Sequence, residues 1–282
     1  MKSSKIVFAL IAVTLLIMFT AGCKKKSEDT NPPAPPANST KSATDNALAE
    51  NLYNNVKNWS DQAMAGSKLK NVMTDTVFQG TCVLATLDTV ASNNILKINF
   101  GTTNCQCMDG KYRRGKIICT FTSPYWLAGT MIAYTFENYF VDDNQVLGTM
   151  IVTNMGLNSS NHPWWEFSEN SSIVKANNEG TITWISTRQL EMTEGYATPF
   201  VWWDDVYQMI GEAHGVNSTG AAYLYNITTP LKKNGNCQWI VSGVVTLQVT
   251  GLPLITMDYG DGTCNNNANI IINGQTYPII LP

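Results

Sequence analysis

Two hydrophobic rhythms divide the chain. Between residues 42 and 66, Ala47, Leu48, Leu52, Val56, Trp59 and Ala63 recur at steps of three and four with polar residues between them. That is the period of one helix face, and it predicts an amphipathic helix over 44–66. Thr44 or Asp45 can accept the unpaired amide hydrogens of its first turn, and Gly66 supplies a stop. After Val72 the helical period vanishes, and short β-rich runs punctuated by Gly, Asn, Asp and Pro continue to the carboxy terminus. Residues 180–190 alternate, with Ile182, Trp184 and Ser186 on one side and Thr181, Thr183 and Ile185 on the other. Residues 206–213 and 221–229 flank GVNSTG, and 268–272 and 275–281 flank Asn273-Gly274, a pair suited to the positive φ angles of a type I′ turn. With no helical stretch between strands, the expected fold is mainly all-β, built of antiparallel meanders and hairpins behind one amphipathic helix.

Two stretches echo one another: ILKINFGTTNC at 95–105 and LITMDYGDGTC at 254–264. Each has an alternating apolar run, an aromatic, a glycine, three small polar residues and a cysteine, and each follows an earlier cysteine, Cys82 or Cys237. The echo predicts two related β units, 72–170 and 171–282. It also pairs Cys82 with Cys105 and Cys237 with Cys264, leaving Cys107 and Cys119 to bridge each other. A metal site at Cys105 and Cys107 is the rival reading, but a single intervening residue suits structural zinc poorly and no histidine lies nearby.

The amino terminus carries an address. Lys2 and Lys5 precede an apolar run from Ile6 to Phe19, then Ala21 and Gly22 stand before Cys23. This is the pattern of a removable export signal, 1–22, too short for a comfortable membrane span. TAGC at 20–23 resembles the bacterial lipobox, with Thr20 where leucine is preferred. The resemblance implies cleavage before Cys23 and its acylation, a palmitate-bearing anchor to a membrane. Residues 23–43, polar and Pro-rich, read as the anchor and a disordered tether. An exported chain with six further cysteines is expected to form disulfide bonds.

Charged residues are only 14% of the 282, and removing residues 1–22 takes two lysines and no acid, moving the net charge from −3 to −5. That excludes nucleic acid as a main partner. Chemistry is sparse. The two histidines, His162 and His214, sit in turn-like sequence, and no nucleophile elbow, zinc helix or phosphate loop is present. No catalytic residue, metal or cofactor is assigned. Glu166 and Glu169 beside Trp164-Trp165, and Asp204 and Asp205 beside Trp202-Trp203, are the only acid groupings that could serve a polysaccharide hydrolase. The same four tryptophans, Trp164, Trp165, Trp202 and Trp203, are candidates for stacking on a ligand, with one of each pair expected to face the core. Asp258 and Asp261 lie in a DYGDGT turn that resembles the signature of polycystic-kidney-disease type β-sandwich modules, but two acids fall short of a calcium loop.

Taken together, CKKKSED, FGTTNCQCMDGKYRRGKI at 100–117, TFENYFVDDNQVLGTMIVTNMG at 135–156, WDDVYQMIGEAHG at 203–215 and DYGDGTCNNNANIIINGQTY at 258–277 resemble a group of flavobacteria-like Bacteroidota lipoproteins. The resemblance covers most of 45–282. It implies an outer-membrane address, on the periplasmic or the surface face, and no particular reaction. It also makes Thr76 and Thr89, each in an Asp-Thr-Val tripeptide, candidate O-glycosylation sites. The function expected is a non-enzymatic binding or structural scaffold anchored through acyl chains, with a glycan or another envelope protein as partner. A polysaccharide hydrolase, a carbohydrate-binding module and a spacer without ligand are the alternatives.

Overall fold

The β-forming runs join into a single antiparallel meander in the computed structural model, which describes residues 34–70, 76–77, 83–88, 94–198 and 201–282. The path begins with β1 (Thr76–Val77), β2 (Leu84–Asp88) and β3 (Asn94–Asn99). The two-residue β4 (Cys105–Gln106) hangs on β5 (Tyr112–Phe121) alone, and β5 pairs with β3. Long strands follow: β6 (Met131–Val141), β7 (Asn144–Leu157), β8 (Pro163–Val174), β9 (Thr181–Glu194), β10 (Val206–Val216) and β11 (Ala222–Asn234). The sheet finishes with β12 (Ile240–Val249), β13 (Ile255–Asp261), β14 (Asn267–Ile272) and β15 (Gln275–Ile280). Every neighbour in this order is antiparallel, as the short connections require. The expected turn at Asn273-Gly274 joins β14 to β15 with φ of 52° and 78°, the left-handed pair of a type I′ hairpin. β15 lies at an edge and carries Pro278 opposite Asn269, which removes one backbone donor from that edge.

The division into two β units is corrected. Its boundary falls inside β8, which pairs with β7 and β9 along its whole length. The echoing segments lie on β3 and β13, nine antiparallel steps apart, and so run in opposite directions. They share local strand-turn-cysteine chemistry, not a folding unit. Residues Ala34–Pro282 form one compact unit.

One helix, α1 (Ala37–Lys70), precedes the sheet and is longer at both ends than the apolar rhythm predicts. It starts directly after Pro35-Pro36, whose rings prevent helical continuation upstream. The Pro36 carbonyl accepts the Ser39 and Thr40 amides, and the Ser42 and Thr44 hydroxyls bond back to carbonyls of the preceding turn, so the tether predicted over 23–43 gives way to helix at Ala37.

The predicted apolar face is buried, and so is much of the polar remainder: Asp45, Asn46, Glu50, Asn54, Lys57 and Ser60 are all under 9% exposed. Past its first turns the half-buried positions are Thr44, Asn51, Asn55, Asn58, Asp61, Gln62 and Ala65, most of them on one stripe spaced by sevens, fours and threes. A helix buried on every side but one lies in a trough. Contacts from α1 to β1, β3, β9, β12 and β13 show that the sheet curls around it from both ends.

Bulges produce the curl. Register shifts break the ladders at residues 114/116, 154/156, 209/212 and 242/244. An extra residue on one strand bends it and raises its twist. At Gly211 (φ +132°) a Cβ would lie 2.4 Å from the Thr187 carbonyl oxygen and 2.7 Å from the Arg188 Cα, so only glycine lets β10 close on β9 there.

The trough has two rims. The helix starts at the near rim, where Ser42 and Asp45 meet Asn217, Ser218 and Lys175 from the β10–β11 and β8–β9 connections. Its later turns approach the far rim, where Ser60 and Asp61 meet Tyr125 from the β5–β6 connection. Connections 158–162, 195–205 and 235–239 share that far rim, as the strand directions dictate. Among the described residues no helix is long and apolar enough to cross a membrane.

Candidate functional site

Two groupings of chemistry stand out: an ionic spine along the trough and a tryptophan corner on the far rim. The spine follows α1. Near its start the Asp45 carboxylate takes the Lys175 ammonium at 2.7 Å and the Ser218 amide at 2.9 Å. At its centre Arg188 of β9 ion-pairs with Glu50 of α1 and, at 2.6 Å, with Glu169 of β8. All three are fully buried. Glu169 also accepts Trp184 Nε1 at 2.7 Å and the Ser186 hydroxyl, while Glu50 accepts Asn54 Nδ2 at 3.0 Å and the Tyr225 hydroxyl at 3.1 Å. Burial pushes the Glu50 carboxyl up, against the opposing pull of Arg188. Farther along, Lys57 pairs with Asp61 and sits 4.0 Å over the Trp165 ring, and Ser60 bonds Tyr125 and Tyr134 at 2.7 and 2.8 Å.

This spine is a lock for the helix. Each buried charge has an opposite charge beside it, and Asp45, Glu50, Glu169 and Arg188 have further hydrogen bonds, the condition under which burial is tolerated. Sequence reasoning passed over Glu50, Lys57, Lys175 and Arg188. The signal was present: strict alternation puts Arg188 on the same side as Ile182, Trp184 and Ser186, and Glu169 with Trp165, Phe167 and Ile173.

At the near rim a cleft of about 300 Å³ is lined by Thr44, Leu48, Lys111, Asp142, Asn144, Lys175 and Pro282. Its lysines are already paired, Lys111 with Asp142 at 3.3 Å and Lys175 with Asp45.

The acid groupings expected of a hydrolase do not assemble. Glu166 points outward from β8 and Glu169 inward to Arg188, as an odd spacing on a strand requires. Asp204 is exposed and bonded to the Thr198 hydroxyl at 2.7 Å. Asp205 is buried and receives the Tyr207 hydroxyl at 2.7 Å; burial pushes it up to about 6, the Tyr207 bond opposing and Asp204 assisting. His162 bonds Glu191 at 2.6 Å, which holds the Glu191 carboxyl below its usual range, and His214 is exposed on β10. Asp258 and Asp261 each cap the amide two residues on, at 2.9 and 3.0 Å, so the turn is explained without an ion. Among the described residues no group of three or more His, Cys, Asp or Glu is placed to hold a metal.

The tryptophan pairs differ. On β8 Trp165 is buried and Trp164 half-buried on the outer face, the alternation expected of a strand. Trp202 and Trp203 instead begin a single 3-10 turn, Trp202–Asp204, and both are exposed, at 45% and 57%. The expectation that one of each pair faces the core therefore fails for this pair, because a 3-10 turn does not alternate sides.

Of the predicted disulfides, Cys237–Cys264 is present with a Cα separation of 5.7 Å. Cys105 is disulfide-bonded, and Cys82, its expected partner, lies outside the described residues. The Cys107–Cys119 bridge is corrected: both are buried free thiols. Cys107 meets the sheet level with Lys111, and the extended chain from 111 to 119 spans roughly 26 Å at strand rise, far beyond disulfide reach. Cys23 and Thr89 lie outside the described residues, and Thr76 sits on β1.

No family model, curated protein or solved structure matches the chain.

Proposed function

We propose that the protein is a lipid-anchored scaffold of the outer membrane, acylated at Cys23, which presents the far rim of its wrapped sheet to a glycan or an envelope partner without catalysing a reaction. The observation that carries this reading is the placement of α1. The chain leaves the tether at residue 36, enters at the near rim and is locked there by Asp45, Lys175 and Ser218. The connections at 158–162 and 195–205 lie at the end of the trough opposite to the rim where the chain enters α1. The interior supports a structural role, since its buried acids and bases are spent on one another.

The test is metabolic labelling with radioactive palmitate followed by fractionation. Label and outer-membrane association in the wild type, both lost in Cys23→Ser, are expected; an unlabelled wild-type chain, or a Cys23→Ser chain that still sediments with the outer membrane, would sink the reading. Protease treatment of intact cells then reports the membrane face.

A further inference from the structure

The far rim holds a feature that the locking of the helix does not use. Large aromatic side chains are rarely left in water without a reason, and two adjacent ones more rarely still. Trp202 and Trp203 stand with ring centroids 5.9 Å apart and planes at 81°, forming a corner of two indole surfaces.

The corner is braced. The Trp202 carbonyl packs so closely on Gly235 that a Cβ there would lie 1.7 Å away. The Gly235 amide donates to the Asp205 carbonyl at 2.8 Å, and Gly195 packs against Asp205 on the other side. The Thr198 hydroxyl donates to Asp204 at 2.7 Å, tying the loop across the turn. Backbone and neighbouring side chains are thus held before any ligand arrives, which lowers the ordering cost of binding.

The charge around the corner narrows the ligand. The segment 194–206 contains Glu194, Asp204 and Asp205 and no lysine or arginine. The nearest cation in sequence across the rim, Lys233, is half-buried and donates to the carbonyls of Cys237 and Gln238. Lys57, the cation whose charge reaches Asp205, is buried and paired with Asp61, and the exposed carboxylates Glu194 and Asp204 disfavour phosphate, sulfate and uronate groups. Of the two adjacent acids, Asp205 is buried and occupied by Tyr207, so one exposed carboxylate, Asp204, remains beside two apolar ring faces. A single carboxylate that has accepted one bond can accept more from hydroxyl donors.

Apolar flat surfaces with one hydroxyl-accepting acid, on a segment without lysine or arginine, fit the face of a neutral sugar ring. We infer that the Trp202–Trp203 corner, with Asp204, is a docking site for a neutral glycan. This rests on the anchored-scaffold reading, of which it names the ligand class.

The full-length protein, held in a polyoxyethylene detergent that carries no sugar, is titrated with four neutral hexasaccharides: β-1,4-glucose, β-1,3-glucose, α-1,4-glucose and β-1,4-N-acetylglucosamine. Hexagalacturonate and an oligolysine peptide are the contrasts. At least one neutral hexasaccharide is expected to shift tryptophan emission and to protect Trp202 and Trp203 from N-bromosuccinimide, read by mass spectrometry. Trp202→Ala and Trp203→Ala are expected to weaken that binding about tenfold, and Trp164→Ala to leave it unchanged. The inference is overturned if none of the four protects either indole, if binding survives both alanine variants, or if only oligolysine or hexagalacturonate protects. Protection is read on the wild type, so a variant that fails to fold does not blunt the test. Failure here with palmitate still on Cys23 removes the glycan and leaves the scaffold reading; loss of the acyl chain removes the scaffold reading whatever the sugars do.

Discussion

Arg188 and Glu50 are 138 residues apart in sequence and meet as a fully buried ion pair at the centre of the trough. The pair joins the only described helix to the middle of the sheet, and Glu169 completes it from the next strand. Replacing Arg188 with Met leaves two buried carboxylates without their counter-charge, and is expected to cost about 3 to 5 kcal/mol. Glu50→Gln is expected to cost clearly less, because burial already favours the neutral form of that carboxyl and Gln keeps an acceptor for Asn54 and Tyr225. Urea midpoints of the two variants check the order. Equal losses would mean that burial does not ease neutralisation of Glu50 as its raised carboxyl implies.

The helix fills the trough, so a chain lacking residues 34–65 exposes the inner face of the sheet, including Ile98, Trp184 and Val245, each 0% exposed in the native fold. Such a truncation is expected to aggregate or to bind a hydrophobic dye, whereas the chain that keeps residues 34–65 does neither. Dye fluorescence and circular dichroism of the two chains read the difference.

Asp205 provides a pH signature. Its folded value of about 6 lies above 3.8, so the folded state holds this proton more tightly than the unfolded one. Stability from this group therefore falls as pH rises through that interval, and the penalty is complete above about 6. Asp205→Asn removes the titration while keeping an acceptor for Tyr207. It is expected to stabilise the fold by about 1 kcal/mol at pH 7.5, with the gain fading toward pH 4. Thermal melts at the two pH values suffice, and a gain that grew on acidification would refute the assignment.

Gly211 is where β10 closes on Arg188. With a φ of +132° and the Thr187 carbonyl 2.4 Å from a would-be Cβ, Gly211→Ala is expected to cost about 2 kcal/mol or more. Gly251, with nothing within 4 Å of its Cβ position, is the comparison: Gly251→Ala carries only the strain of its left-handed backbone and is expected to cost less. Parallel chemical denaturation of the two variants reads the difference.

The cysteines admit a direct count. Cys107 and Cys119 are buried free thiols, so both are expected to resist a maleimide in the native protein and to react in denaturant without reductant, while Cys237 and Cys264 react only after reduction. Peptide mapping reads each site. Cys237→Ser, which opens a bridge of sequence separation 27, is expected to cost about 2 to 4 kcal/mol.

Local chemistry accounts for what could be read in advance. The step of three and four from Ala47 to Ala63, the alternation through Ile182, Trp184 and Ser186, and the Asn273-Gly274 turn each depend on contacts or dihedrals within a few residues. They therefore appear as the sequence pattern predicts. The Cys237–Cys264 bridge was legible because an echo in the chain marked it.

The rest depended on partners far along the chain. A helical period reports that one face is apolar, but it does not report whether the polar face meets water or a second wall. Burial of Asp45, Glu50 and Lys57 became necessary only once bulges curled the sheet around α1 and brought Lys175, Arg188 and Trp165 to meet them. The same holds for the tryptophan pairs: Trp164-Trp165 and Trp202-Trp203 are the same dipeptide, one sorted by a strand and the other held exposed by a 3-10 turn braced on Gly235. The sequence alone determined the antiparallel all-β class, the core of the helix, several of the strands and one cysteine bridge, because those follow from neighbours in the chain. Tertiary structure alone decided which charges are buried, which thiols stay free and which indoles face water, because those follow from strands that only the wrapped sheet brings together.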